Sequence, residues 1–164
     1  MTEEPPVPDG GHHRHLLVVS HSRTGTTAQL CDAAVDGARR AGGAVDLRVL
    51  DAFAAGPDDV AWADAVLLAT PARFGSMAGA MKDFLERIYY PCLQTTAGMP
   101  YALVCKGDTD VDGAVHSVER IVAGMRWKQV LPPLTVVGHI QPADLEAAEE
   151  LGGTLAAGLD TGIF

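Results

Sequence analysis

The sequence predicts an α/β domain, a doubly wound parallel sheet with helices on both faces. Three observations predict it. Strand-like apolar runs alternate with helically periodic segments in five β–α units. The runs "LLVV" (16–19) and "AVLLA" (65–69) are apolar throughout, as strands covered on both faces must be. Connections are short, with no internal repeat and no second core, which favours one domain over 15–164 behind a flexible leader at 1–14.

Each element has its own signal. "HLLVVS" (15–20) is the first strand. "TTAQLCDAAVDGARR" follows as a helix, with Cys31, Ala34, Val35 and Ala38 on one face and Gly42-Gly43 as its stop. "AVDLRVL" (44–50) is the second strand, and a loop containing Pro57 leads to the third, "DAVLLAT" (64–70). In "GSMAGAMKDFLERIYY", Met81, Phe84, Leu85 and Ile88 form an apolar stripe. Lys82–Glu86 and Asp83–Arg87 pair four residues apart on the wet face. "MPYALVCKG" (99–107) is the fourth strand, and the helix after it carries Val115, Val118, Val122 and Met125. "QVLPPLTVVG" (129–138) is the fifth, and the lost donors of Pro132 and Pro133 assign it to an edge. Pro142 opens the last helix, with Leu145, Ala148, Gly152, Leu155 and Leu159 inward.

Composition narrows the partners. A net charge of −9 argues against nucleic acid and anionic membrane surfaces, and no window reaches the ~18 uninterrupted apolar residues of a membrane span. The acidic, Pro/Gly-rich start is not a signal peptide. Cys31, Cys92 and Cys105 have no metal or redox spacing and read as buried, reduced thiols in a cytoplasmic protein. His12, His13 and His15 offer metal ligands, but a flexible leader is the favoured reading.

In a doubly wound sheet, ligands bind beyond the carboxyl ends of the strands, so the loops after strands one, three and four matter most. The first, "SHSRTGTT" (20–27), puts hydroxyls at Ser22, Thr24, Thr26 and Thr27, with Gly25, directly before a helix. Hydroxyls, successive backbone N–H groups and a positive helix end suit a phosphate. The loop lacks the lysine of nucleoside-triphosphate loops, and the competing reading is a simple helix cap at Thr24 or Thr26. After strand three comes "TPARFGSM" (70–77), where Pro71 is expected to bend the chain off the sheet. Gly75 allows a close backbone approach, with Arg73 and Phe74 at the tip.

Here the chain resembles a known family. "TPARFGSMAGAMKDFLER" is similar to the flavin loop and following helix of the flavodoxin-like quinone oxidoreductases of the tryptophan-repressor-binding-protein type, and of the NADPH-dependent FMN reductases. "SRTGTT" resembles the S-x-T-G-x-T phosphate loop of FMN flavoproteins. The resemblance spans nearly the whole chain after residue 15. It implies a flavodoxin-like three-layer α/β/α sandwich with a five-stranded parallel sheet in order 2-1-3-4-5, binding FMN non-covalently. Ser22, Arg23, Thr24, Gly25, Thr26 and Thr27 are then expected at the phosphate. Pro71, Ala72, Arg73, Phe74 and Gly75 are expected along the ring. Lys106, Gly107 and Asp108 in the third loop, with Ser20, complete the expected set. The alternatives are an anchoring aromatic for Phe74 and a solvated side chain for Arg73.

The third loop also matches a calcium-loop pattern, since "DTDVDGAVHSVE" (108–119) reads D-x-D-x-D-G-x5-E. It follows a strand, however, where an EF-hand needs a helix, and Glu119 falls more than two turns into the next helix. Asp110 or Asp112 reads better as a helix cap, and no metal site is expected. Carboxylates near a flavin would lower its potential. The equal alternative is that the three aspartates face water.

Other chemistries on this topology fail on residues. Thr70-Pro71 replaces the acid of a phosphoacceptor domain, Phe74 breaks a G-x-S-x-G elbow at Ser76, and Cys31 stands too far from Arg39 for a C-x5-R loop. Two flavin functions stay open, beside a third possibility, a domain that keeps the fold but binds no flavin. One is an oxidoreductase passing electrons from NADH or NADPH through FMN to a quinone, a flavin or a similar small-molecule electron acceptor. No side chain is named as catalytic, because the flavin carries the chemistry. The other is a one-electron carrier whose charge steers it to a basic protein redox partner. The sequence shows no 2′-phosphate clamp. Tyr89, Tyr90 and Trp127 are candidates for a homodimer or larger homo-oligomer surface, or else for internal packing.

Overall fold

A computed structural model describes residues 13–41 and 43–164 of the 164-residue chain. Gly42, His12 and most of the expected leader lie outside the described residues. The core of the sheet is built from β1 (Arg14–Ser20), β2 (Val45–Asp51), β3 (Ala65–Arg73) and β5 (Pro100–Gly107). Together with β6 (Lys128–Gln129) they give the order β2-β1-β3-β5-β6, all parallel. This is the expected doubly wound order, with the fifth position in two pieces. β6 pairs with Pro100 and Tyr101, while β7 (Leu134–Val137) pairs with β5 from Val104 to Gly107. Pro132 and Pro133, which have no N–H for the ladder, occupy the break.

Strand alternation sends two apolar sets to opposite faces. Leu16 and Val18, with Leu67, Ala102 and Val104, pack under α1 (Thr26–Ala41) and α5 (Pro142–Asp160). Leu17 and Val19, with Val66, Leu68 and Leu103, pack under α2 (Pro57–Trp62), α3 (Gly79–Cys92) and α4 (Val111–Gly124). Leu16 through Val19 are all fully buried, at ~1.5–3 kcal/mol for each such side chain relative to exposure.

Three local features differ from expectation. Pro57 opens the short helix α2 instead of lying in a loop. It sits at the first turn with Asp58 and Asp59, and Gly56 N–H donates to Asp59 Oδ2 at 2.9 Å. Six residues are too few to register as periodicity. The helix expected over 75–90 begins at Gly79 and runs to Cys92, with Pro91 in its last turn. The residues before it form β4 (Ser76–Met77), antiparallel to β3.

Pro71 does not bend the chain off the sheet, because β3 continues through it to Arg73, with Pro71 opposite Lys106 of β5. Ala69 O accepts from His21 N–H at the end of β1, so the ladder groups of residue 71, two along, face the side that β1 has already left. Proline costs no hydrogen bond there.

Candidate functional site

The carboxyl ends of β1, β3 and β5 converge, and each contributes a loop. The first is the turn into α1. Gly25, at φ 89, donates its N–H to Ser22 Oγ at 3.0 Å, and the Thr24 and Thr26 hydroxyls are 3.2 Å apart. α1 carries no acid in its first turn, and Arg39 and Arg40 lie in the last turn of its 16 residues. The positive end of the helix is therefore open to an anion.

The second loop is a two-residue hairpin between β3 and β4, with Phe74 at φ 50 and Gly75 at φ 71. Positive φ at both central residues is the type I′ geometry that suits hairpin twist. Glycine accepts it freely, whereas an L side chain in this region costs ~1–2 kcal/mol. Surrounding bonds hold it. Met77 N–H donates to Ser117 Oγ at 2.9 Å, and Ala78 N–H donates to the buried Thr70 hydroxyl at 3.0 Å. The Phe74 ring is nevertheless fully exposed. A strained aromatic held in solvent points to a ligand rather than to packing.

The third loop follows β5. Asp110 adopts the left-handed conformation (φ 46, ψ 49) and accepts from Gly113 N–H at 3.0 Å, capping α4. It also lies against the hairpin, where a Cβ on Gly75 would meet its carboxylate. Asp108 pairs with Lys106 Nζ at 3.1 Å and is otherwise in water, and Asp112 is exposed. The calcium pattern is thus a helix cap plus two solvated acids. Among the described residues no group of three His, Cys, Asp or Glu side chains is placed to hold a metal. His15 instead stacks on Trp62 and donates to its carbonyl, while His13 faces Asp46.

The three loops share their walls. One hollow of about 550 Å³ is bordered by Arg23, Thr24, Ala72, Arg73, Phe74 and Asp108. A narrower recess of about 130 Å³ continues from it between Thr26, Pro71, Lys106 and Gly107. Gly107 is necessary there, since a Cβ would come within 2.6 Å of the Ala72 methyl. Ser20, Ser22, Gly25, Thr27 and Gly75 do not border either space. Thr27 is turned into the core at 1% exposure, and Ser20 lies beside the Cys31 thiol. Burial pushes that thiol up, and the neighbouring Ser20 hydroxyl offsets part of the rise.

Sequence reasoning missed Thr109, and it missed His21 and Phe53, which border a neighbouring hollow. Phe53 follows Asp51 at the carboxyl end of β2, the same rim as the other loops, so extending the rule to strand two would have found it. Of the aromatics expected at a subunit surface, Trp127 is buried and donates to Thr96 Oγ1 at 2.8 Å, whereas Tyr90 is exposed beside Tyr89.

A family model described as NADPH-dependent FMN reductase matches residues 15–141. A NAD(P)H dehydrogenase (quinone) of Acidithiobacillus ferrooxidans is 35% identical, with 44% of this chain and 46% of that protein aligned. One of Archaeoglobus fulgidus is 31% identical, over 43% of this chain and 49% of that protein. The chain thus spans about half the length of the curated relatives it matches. Among solved structures, an archaeal flavodoxin superposes with TM-score 0.78 at 18% identity, covering 88% of this chain and 98% of that one. A flavodoxin, WrbA-like protein from Agrobacterium tumefaciens gives 0.72 at 20%, covering 87% and 95%. These likenesses establish the flavodoxin-like fold.

Proposed function

Because the chain belongs to the NADPH-dependent FMN reductase family, we propose that it binds FMN non-covalently in the shared hollow and passes electrons from NADPH or NADH to a small acceptor such as a quinone or free flavin. The observation that carries this is the common wall: Thr24, Arg73 and Asp108, from three separate loops, border one space. The donor set fits the cofactor. The hydroxyls of Thr24 and Thr26, with the N–H groups of the first α1 turn, match a phosphate monoester. Ala72, Phe74 and the aliphatic part of Arg73 offer an apolar wall for a ring, in a volume typical of ligand pockets, ~300–1,000 Å³.

Bound FMN would supply the two-electron chemistry, and the protein's part is to bind, orient and shield it. Phe74 and Arg73 would border the ring, and Lys106 and Gly107 line the narrower recess beside it. Lys106, mostly covered and beside Asp108, offsets that carboxylate's effect on the site. The same reading takes 15–164 as one domain and a cytoplasmic setting, which the three buried free thiols support.

A one-electron carrier for a basic partner is the second reading, favoured by the −9 charge. Rapid mixing of the FMN-loaded protein with NADPH and NADH separates them. Fast bleaching of flavin absorbance supports the reductase. No bleaching, with photoreduction that halts after one electron, supports the carrier. A protein that takes up no FMN contradicts both.

A further inference from the structure

The acidic balance of the chain inverts at this site. Among the described residues bordering the hollow and its recess, Arg23, Arg73 and Lys106 are cations, and Asp108 is the one carboxylate. Arg40, Arg48 and Arg87 form ion pairs elsewhere, whereas Arg23 and Arg73 have no such partner among the described residues. Lys106 Nζ donates to Asp108 Oδ1 at 3.1 Å, but the lysine side chain is 12% exposed and that of Asp108 86%. Water therefore screens the carboxylate, while the covered cation acts through a medium of lower dielectric. The other acids of the third loop add little. Asp110 accepts from Gly113 N–H at 3.0 Å, and neither it nor the exposed Asp112 borders the space. In a chain of net charge −9, this is a local positive field on a ligand-sized volume.

Such a field distinguishes the two oxidation states of a flavin. Uptake of two electrons and one proton leaves the isoalloxazine with one more negative charge than the oxidised ring. The phosphate carries the same charge in both states and cancels from the comparison. A covered cation beside the added charge favours the reduced form. Counting the three aspartates of the loop without their exposure gives the opposite sign.

We infer that this site holds reduced FMN more tightly than oxidised FMN, and that Lys106 sets most of the difference. The inference rests on the FMN reading of the hollow. The reduced cofactor then stays on the protein, and the electron acceptor must come to the Phe74 rim instead of meeting a released flavin.

Anaerobic calorimetric titration of the full, flavin-free chain tests it, with oxidised FMN and dithionite-reduced FMN as the two probes. The reduced form should bind at least tenfold more tightly. The midpoint potential of bound FMN then lies at least ~30 mV above that of free FMN, which dye equilibration reads independently. Lys106→Gln should remove most of the preference, and Lys106→Arg should keep it. Arg73→Gln, at the exposed tip, should lower it by a smaller factor, and Asp108→Asn should leave it at least as large. Equal affinities in the wild type, or tighter binding of the oxidised form, overturn the proposal. An undiminished preference in Lys106→Gln, with both forms weakened alike, would assign the lysine to the phosphate and overturns it too. A chain that prefers reduced FMN tenfold but takes no electrons from NADPH or NADH upholds this inference and overturns the reductase reading alone. One that takes up neither form overturns both.

Discussion

The seam between α1 and α5 and the hairpin tip at the site both depend on glycine, for opposite reasons. At the seam, a Cβ on Gly37 would strike the Glu149 carbonyl, and one on Gly152 would strike that of Ala34. The two helices touch backbone to backbone, and this proximity lets Leu30, Ala34 and Ala38 bury themselves with Ala148 and Leu155. At the tip, Gly75 completes a left-handed turn whose other half, Phe74, is strained and exposed. The seam spends its glycines on close packing and carries no left-handed backbone. The rim carries it at Gly25, Phe74, Gly75 and Asp110, four of the eight such positions among the described residues. The difference separates geometry that stabilises the fold from geometry held ready for a ligand.

The largest effect should come from breaking the seam. Gly152→Val places a branched side chain against the Ala34 carbonyl, backbone that cannot rotate aside, and should destabilise by about 3 kcal/mol. A fall in the urea midpoint measures it, and a wild-type midpoint would mean the helices are not in contact. The folded fraction should still take up FMN, because no rim residue has moved.

The converse change is Thr24→Glu. It puts a carboxylate where a phosphate would sit, and FMN affinity in a fluorescence titration should drop on the order of 100-fold or more. Stability should hold or rise, since an acid at a helix N-terminus contributes ~0.3–1 kcal/mol. Unchanged FMN affinity would remove the first loop from the site.

The two regions were unequally legible in the sequence. The seam helices and the strands followed from periodicity, because apolar spacing is a direct record of which face is buried, whereas the strand order came with the family resemblance. The first loop was legible too, since its hydroxyls cluster within six residues. The hairpin was half legible: Gly75 signalled a turn, but nothing local marks Phe74 as left-handed and exposed, because that conformation is imposed by Ser117, Thr70 and Asp110 from elsewhere in the chain. Phe53 was legible by extending the strand-end rule to strand two; what the sequence does not show is that Arg87 of α3, over thirty positions later, donates to the Ala52 and Ala55 carbonyls on either side of it.

Phe74→Gly sharpens this point at smaller scale. Relief of left-handed strain gains ~1–2 kcal/mol, and the added chain entropy of glycine returns ~0.5–1. The flavin-free protein should therefore gain about 0.5–1 kcal/mol in urea unfolding while its FMN affinity falls. A variant that is less stable would mean that the exposed ring contributes to the fold and that the hairpin is not strained for a ligand.

The smallest effect near neutral pH belongs to the core. Burial pushes Cys105 up to about 12, and burial with the Glu119 charge does the same to Tyr101. Burial also raises Cys31 and Cys92. In the unfolded chain thiols titrate near ~8.5 and tyrosine near ~10. The fold therefore favours the neutral forms, and their contribution is complete below about pH 8.5 and lost as pH rises toward about 12. The urea midpoint should be flat from pH 7 to 8 and decline above ~9. The three buried thiols should resist iodoacetamide until urea exposes them, because the thiolate is the reacting form. Rapid alkylation of a native thiol at pH 8 would show that the core opens locally as readily as the rim, erasing the contrast between the packed seam and the strained edge.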